Sequence, residues 1–258
     1  MNLSLSGKTA LIGGASAGIG RAVALQLAEL GAQVVLMART AAKLQAVMKS
    51  MHGDGHQYLV VDFEQPEVLQ QKIGALLSEH TVHILINNTG GPPGGPIVRA
   101  STADFLHAYN NHLLCSHMLA QACMPGMQAD GYGRIINIIS TSVKEPLDNL
   151  GVSNSTRWAV AGWAKTWANE VGPLGITVNN VLPGYTKTGR LDEIVQKRSQ
   201  STNLPAEAVA EQMKQHVPMR RFATPEEIAY AVAFLASPAA GYINGINLPV
   251  DGGRTKSL

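Results

Sequence analysis

Short apolar runs alternate along this chain with longer stretches in which apolar positions recur at helical spacing. Seven of the short runs are predicted as strands: Thr9 to Gly13, Gln33 to Ala38, Gln57 to Val61, His83 to Ile86, Gly133 to Ile139, Ile176 to Leu182 and Ile246 to Val250. Several are apolar without interruption, as in Val34-Val35-Leu36-Met37 and Ile84-Leu85-Ile86. A strand wetted on one face alternates polar and apolar, whereas one covered on both faces does not, and a parallel sheet between two helix layers covers both. The rhythm therefore predicts βαβ repetition in one doubly wound α/β domain over residues 1–258. Gly90 to Pro96 is too short for an interdomain linker and reads as a loop.

Gly14-Ala15-Ser16-Ala17-Gly18-Ile19-Gly20 lies between the first strand and a helix-like run, Arg21 to Leu30. Glycines let a backbone turn sharply and approach a pyrophosphate, whose charge meets free N–H groups and the positive end of the following helix. The stretch reads as a nucleotide site. The alternative is a strand-to-helix turn with small residues for close packing. Residues 188–217 interrupt the rhythm with a polar segment carrying short helical patterns at Leu191 to Arg198 and Pro205 to His216. Following a strand's C-terminal end, it reads either as a substrate lid or as a solvated surface excursion.

Composition narrows the class. The chain has 258 residues and a formal charge of +2, and its Lys and Arg residues are scattered, so no basic stripe points to nucleic acid. Cys115 and Cys123 fall eight residues apart on one predicted helix, about 12 Å along its axis, too far to pair with each other. That spacing and the lack of an apolar leader or a membrane-length apolar run predict a soluble, reduced, cytoplasmic protein, with a disulfide to another chain as the alternative for the cysteines.

Gly14-x-x-x-Gly18-x-Gly20, Asn87-Asn88-Thr89-Gly90, Gly133-Arg134-Ile135-Ile136-Asn137-Ile138-Ile139-Ser140, Pro183-Gly184 and Pro249-Val250-Asp251-Gly252-Gly253 together resemble the short-chain dehydrogenase/reductase family over almost the whole chain. The resemblance implies a seven-stranded Rossmann-type sheet, a nicotinamide cofactor, and a homotetramer or homodimer built through long helices. It places Gly14, Ser16, Ala17, Gly18, Ile19 and Gly20 around the pyrophosphate. It sets Asp62 beside the adenine, Asn87 in the strand-4 motif, and Pro183, Gly184 and Thr188 at the carboxamide end. Asp62 also reads as a turn cap, and Asn87 as a residue satisfying local backbone groups.

Cofactor choice is argued at the end of the second strand. A carboxylate there would bind two ribose hydroxyls and repel a 2′-phosphate. The chain instead runs Ala38-Arg39-Thr40. Arginine matches phosphate oxygens well, so NADP(H) is favoured over NAD(H). Ala17 lacks the basic side chain that many NADP-binding relatives place in the loop, and Arg39 also reads as a solvated residue opening a helix.

The resemblance breaks at the catalytic residues. A gapless match through Gly162-Trp163-Ala164-Lys165 and Asn179 to Gly184 sets Ser153 at the position of the family's proton-exchanging tyrosine. The same match sets Arg157 where its ribose-binding lysine stands. His112 falls where the family has an asparagine, with Asn111 one residue away, and only Ser140 keeps its place. Hydride delivery to a carbonyl requires a positioned acid. An aliphatic hydroxyl is a poorer acid than a phenol, and arginine holds its protons too firmly to relay them. Losing acid–base catalysis is worth about 10²–10⁴-fold, roughly 3–5.5 kcal/mol. His112, Lys144 and Tyr185 are candidate proton sources, and Arg157 is suited to hold ribose or an anionic substrate group. Trp158, Trp163 and Trp167 on one predicted helix read as packing or subunit contacts, or else as an aromatic substrate box. The pattern predicts an NADP(H)-dependent oxidoreductase with a non-standard proton-transfer site, acting on a small carbonyl, alcohol or activated double bond. The alternatives are a catalytically silent nucleotide-binding redox or metabolite sensor and a cofactor-dependent lyase or isomerase.

Overall fold

The computed structural model describes residues 1–257. The strands are β1 (Thr9–Ile12), β2 (Gln33–Ala38), β3 (Gln57–Val60), β4 (Ile84–Asn87), β5 (Gly133–Ile138), β6 (Ile176–Pro183) and β7 (Asn247–Val250). All pair in parallel in the order β3-β2-β1-β4-β5-β6-β7. The seven predicted strands are therefore present, each end within one residue of its predicted position.

Among the described residues nine α-helices connect them: α1 (Gly18–Glu29), α2 (Ala41–Met48), α3 (Pro66–Glu79), α4 (Thr102–Tyr109), α5 (Cys115–Ala129), α6 (Gly151–Val171), α7 (Gly189–Thr202), α8 (Ala206–Gln215) and α9 (Pro225–Ala236). Alternation along the strands sorts side chains onto two covered faces. Ile12, Leu36, Ile86 and Ile136 pack with α1, α2 and α9, while Leu11, Val35, Leu85 and Ile135 pack with α3, α5 and α6. The uninterrupted apolar strands thus have apolar neighbours on both sides. Cys115 and Cys123 are buried free thiols in the second of these layers.

One polar feature crosses the apolar sheet. Asn87, Asn137, Asn180 and Asn247 stand in register on β4, β5, β6 and β7. Asn87 Nδ2 donates to Asn137 Oδ1 (2.9 Å), Asn137 Nδ2 to Asn180 Oδ1 (2.8 Å), and Asn180 Nδ2 to Asn247 Oδ1 (2.7 Å). Asn87 therefore bonds across the sheet, not to local backbone as the alternative sequence reading had it.

The segment 188–217 forms α7 and α8, folded on each other over a cluster of Leu191, Val195, Val209, Met213 and Phe222. Both helices follow the C-terminal end of β6. Among the described residues no helix is long and apolar enough to cross a membrane.

The ladder has a measurable consequence. Asn137→Ala leaves Asn87 Nδ2 and Asn180 Oδ1 buried without their partner, and each such group costs about 1–3 kcal/mol. Urea unfolding of this variant is expected to show a loss of about 2–5 kcal/mol, far above the effect of removing an exposed asparagine.

Candidate active site at the C-terminal edge of the sheet

The glycine loop turns from β1 into α1 with Gly14 at φ +59° and Gly18 at φ +54°, a region that favours glycine. Its small residues also answer a packing need. A side chain at Gly14 would meet Asn88 Nδ2 at 2.7 Å, one at Gly20 would overlap Gly14 O, and one at Gly18 would press on Thr188. Asn88 Nδ2 also donates to Gly13 O at 3.0 Å, wedging the strand-4 loop against the glycine loop. Close packing and a cradle are both built here.

Ala17, at the N-terminus of α1, supplies no capping side chain, and the first turn has no acidic residue. The free N–H groups of that turn therefore suit an anionic pyrophosphate. Ala15 N–H bonds to Met37 O (3.1 Å), bringing the end of β2 against the loop. Arg39 follows there, exposed. These residues fit a dinucleotide: the α1 terminus for the pyrophosphate, Arg39 for a 2′-phosphate. Asp62 holds a turn, accepting Glu64 N–H at 3.1 Å.

Ser153 and Arg157 share a face of α6 at i, i+4 spacing. Arg157 is buried, donates from Nη1 to Ile138 O (2.9 Å), and so ties α6 to the end of β5 two residues before Ser140. Burial and the nearby Arg190 charge push its pKa down to about 10, which leaves it cationic at neutral pH. The Ser153 hydroxyl is half-buried, with no hydrogen-bond partner among the described residues. Ser140 Oγ accepts Ser142 N–H (3.1 Å).

His112 and Asn111 separate clearly. Residues Asn110–Leu114 form a π-helical turn between α4 and α5, a local bulge that rotates the side chains after it. Asn111 bonds to exposed His107 (3.0 Å), whereas His112 is buried with Nδ1 2.6 Å from Thr89 Oγ1. Burial first, then the Arg157 and His107 charges, push the His112 pKa down to about 2. His112, named above as a candidate proton source, thus lies beside a buried cation that holds its ring neutral.

Asn87 Oδ1, His112 Nε2 and Arg157 Nε are buried polar atoms with no protein partner among the described residues, and all three residues line one small cavity of about 10 Å³. Sequence reasoning missed Asn88 and Thr89, although both lie in the strand-4 motif it quoted.

A second cavity of about 930 Å³ opens above, between the loops after β4 and β5 and helices α7 and α8. Tyr185 is on its wall, edge-on to Phe222 with ring centroids 6.0 Å apart. Pro183 ends β6, and Gly184 N–H bonds to Val250 O (3.0 Å), with no room for a side chain against Asp251. Lys144 closes the short turn after Ser140, half-buried, with its own partner. The tryptophans stand apart from this cavity. Trp163 and Trp167 cluster with His117, centroids 5.8–6.2 Å apart, and Trp158 is exposed, its Nε1 donating to Ser142 O (2.9 Å).

Residues 14–255 match a family model described as enoyl-(acyl carrier protein) reductase. The 3-oxoacyl-[acyl-carrier-protein] reductase of Pseudomonas aeruginosa is 34% identical, over 99% of this chain and 100% of that protein. The 7alpha-hydroxysteroid dehydrogenase of Escherichia coli is 32% identical, over 100% of this chain and 98% of its own. L-sorbose reductase from Gluconobacter frateurii, solved with NADPH and L-sorbose, superposes with a TM-score of 0.92 at 31% identity, covering 100% of both chains. A glycine cradle at the end of β1, a seven-stranded parallel sheet and similarity over the full length agree: the chain belongs to the short-chain dehydrogenase/reductase family of NAD(P)-dependent oxidoreductases.

Proposed function

We propose that the chain is an NADP(H)-dependent oxidoreductase in which Ser153 and Arg157 stand where family members carry a proton-exchanging tyrosine and a lysine. Its substrate is a small organic carbonyl, alcohol or activated double bond. The observation that carries this reading is Arg157, a buried cation fixed to Ile138 O beside His112 and the end of β5. Several solved relatives with bound NADP or NADPH support the cofactor assignment.

When bound, the nicotinamide supplies or accepts the hydride. The chain's own residues then have separable tasks. Gly14 to Gly20 hold the pyrophosphate, Arg39 the 2′-phosphate, Asp62 and Asn87 the nucleoside surroundings, and Pro183, Gly184 and Thr188 the carboxamide end. Ser140 and Ser153 offer hydroxyl hydrogen bonds to a substrate oxygen. A fixed guanidinium stabilises negative charge on that oxygen or holds ribose, but it does not release a proton near neutrality. His112 contributes a neutral hydrogen-bonding ring, leaving water, Lys144 or Tyr185 to complete proton transfer. Helices α7 and α8 serve as the lid, and the long α5–α6 face, where Leu114 and Trp158 are exposed, is the surface through which copies assemble.

Three measurements test this reading. NADPH is expected to bind more tightly than NADH, and Arg39→Ala to weaken NADPH selectively. Equal affinities in calorimetric titrations of the parent would refute that assignment.

Ser153→Tyr with Arg157→Lys is expected to raise NADPH-dependent reduction of simple ketones by about 10²–10⁴-fold, with smaller gains in each single variant. Fast ketone reduction by the parent would sink the argument for a missing acid.

The neutral state of His112 has its own signature. An unfolded chain takes up a proton at this histidine as pH falls through 6.5, whereas the folded chain resists until about 2. Stability therefore declines as pH drops across that window, by up to about 1.4 kcal/mol per pH unit. Buried His83, also shifted down by burial, adds in the same direction. His112→Gln is expected to flatten the loss of stability between pH 7 and pH 5, with the His83 contribution remaining.

A further inference from the structure

Within the large cavity, the charged side chains are either engaged by the protein or exposed to solvent. Arg190 pairs with Glu193 (3.1 Å) and donates to Pro92 O (2.8 Å). Glu145 Oε1 accepts the backbone N–H groups of Lys256 (2.7 Å) and Ser257 (2.9 Å). Lys197 and Arg198 are exposed on α7, and Asp148 is exposed at the rim.

Arg254 differs from these. It lines the same cavity, half-buried, and no carboxylate among the described residues forms an ion pair with it. Its guanidinium carbon lies 4.5 Å from the centre of the Tyr185 ring, and Nη1 donates one long bond, 3.3 Å, to Thr141 Oγ1. Five N–H donors on a planar cation are thus left with a ring face and one neutral hydroxyl. Thr141 is buried and immediately follows Ser140 in the chain, so this bond ties the guanidinium to the turn that carries the candidate catalytic serine.

The surrounding backbone is built to keep it there. Asp251 accepts Gly253 N–H (2.9 Å) on one oxygen and Thr255 N–H (2.8 Å) on the other, through a turn with Gly252 and Gly253 at positive φ. Glu145 then ties down the two residues after Thr255. Carboxylates on either side of Arg254 are thereby spent on backbone N–H groups instead of on the guanidinium, which is clamped at both ends while its head faces the cavity.

We propose that Arg254 binds a carboxylate of the substrate, so that this chain acts on oxo acids or unsaturated acids in preference to neutral compounds. A fork of parallel N–H donors matches a carboxylate, and the half-buried position against Tyr185 removes the water that would otherwise weaken the pair. The ring face also holds the guanidinium plane in one orientation. The proposal rests on the reading of this cavity as the substrate site.

Paired probes test it: 4-oxopentanoate against its methyl ester, and a 4-oxo-2-alkenoate against its methyl ester. Each is assayed by NADPH oxidation, and each is also titrated calorimetrically into the NADPH complex. A charge-assisted hydrogen bond is worth about 10- to 100-fold in preference for the acid. The parent is expected to favour the acids by that factor. Arg254→Gln should collapse the acid-to-ester ratio towards one, and Arg254→Lys should restore part of it. A parent that treats acid and ester alike overturns the proposal. So does an Arg254→Gln variant that weakens both equally, since support of Tyr185 and Thr141 alone would act on either. If no probe oxidises NADPH, these compounds are not reduced by a site that lacks the acid, and the titrations decide: acid binding lost in Arg254→Gln upholds the anion site, and acid binding unchanged in that variant removes it.

Discussion

Three side-chain amide bonds running from Asn87 through Asn137 and Asn180 to Asn247 constrain everything at the functional edge of this protein. A strand buried on both faces by apolar residues has little to fix its register, because sliding it exchanges one aliphatic contact for another. An asparagine cannot slide without leaving a buried amide unpaired. With four of them opposite one another on β4 to β7, only one register satisfies the set. The loops that leave these strands carry Asn88 and Thr89, Ser140 and Thr141, and Asp251 to Arg254, so ladder register becomes site geometry.

Asn87 ends the ladder beside the small cavity shared with His112 and Arg157. There the physical situation changes from paired dipoles to an unpaired buried cation, and burial of a charge is tolerated only with compensation. Arg157 has one carbonyl, Ile138 O, and faces polar atoms of Asn87 and His112. The histidine meets this cation by remaining neutral, and its Nδ1 is held by Thr89. Such a site is poor in mobile protons and rich in fixed positive charge. It is better arranged to stabilise an anion as it forms than to deliver a proton to it.

What could be read in the chain follows the range of the interaction responsible. The strands are legible because a doubly covered strand writes its burial into a run of consecutive residues, as the five from Val34 to Ala38 show. The glycine loop is legible for the same local reason. The ladder is not, since its bonded neighbours lie 43 to 67 positions apart along the chain and each resembles an ordinary motif asparagine. Nor is the rotation of Asn111 away from the site, which depends on a π-helical turn at Asn110–Leu114 that periodicity alone does not announce. His112 was placed by its spacing from the downstream helix, but its protonation depends on Arg157, 45 positions later, acting through buried space. Arg254 carried no motif: its meaning lies in which carboxylates are already occupied by backbone N–H groups.

The two cavities divide the chemistry between fixed and adjustable parts. Beneath, the ladder, His112 and Arg157 are locked by strand register and by the β5–α6 bond. Above, α7 and α8 pack on their own small cluster, and Tyr185 joins that cluster while its ring also supports Arg254. Movement of these helices therefore reaches Tyr185 and, through it, Arg254, which is bonded to Thr141. Thr188, at the start of α7, lies close enough to Gly18 of the glycine loop that a Cβ added there would come within 3.1 Å of its methyl group. The same pair of helices thus adjoins the glycine loop at one end and holds Tyr185 of the large cavity through its own cluster. Packing at the loop and packing at the cavity wall therefore meet in α7 and α8, with no separate segment needed to join them.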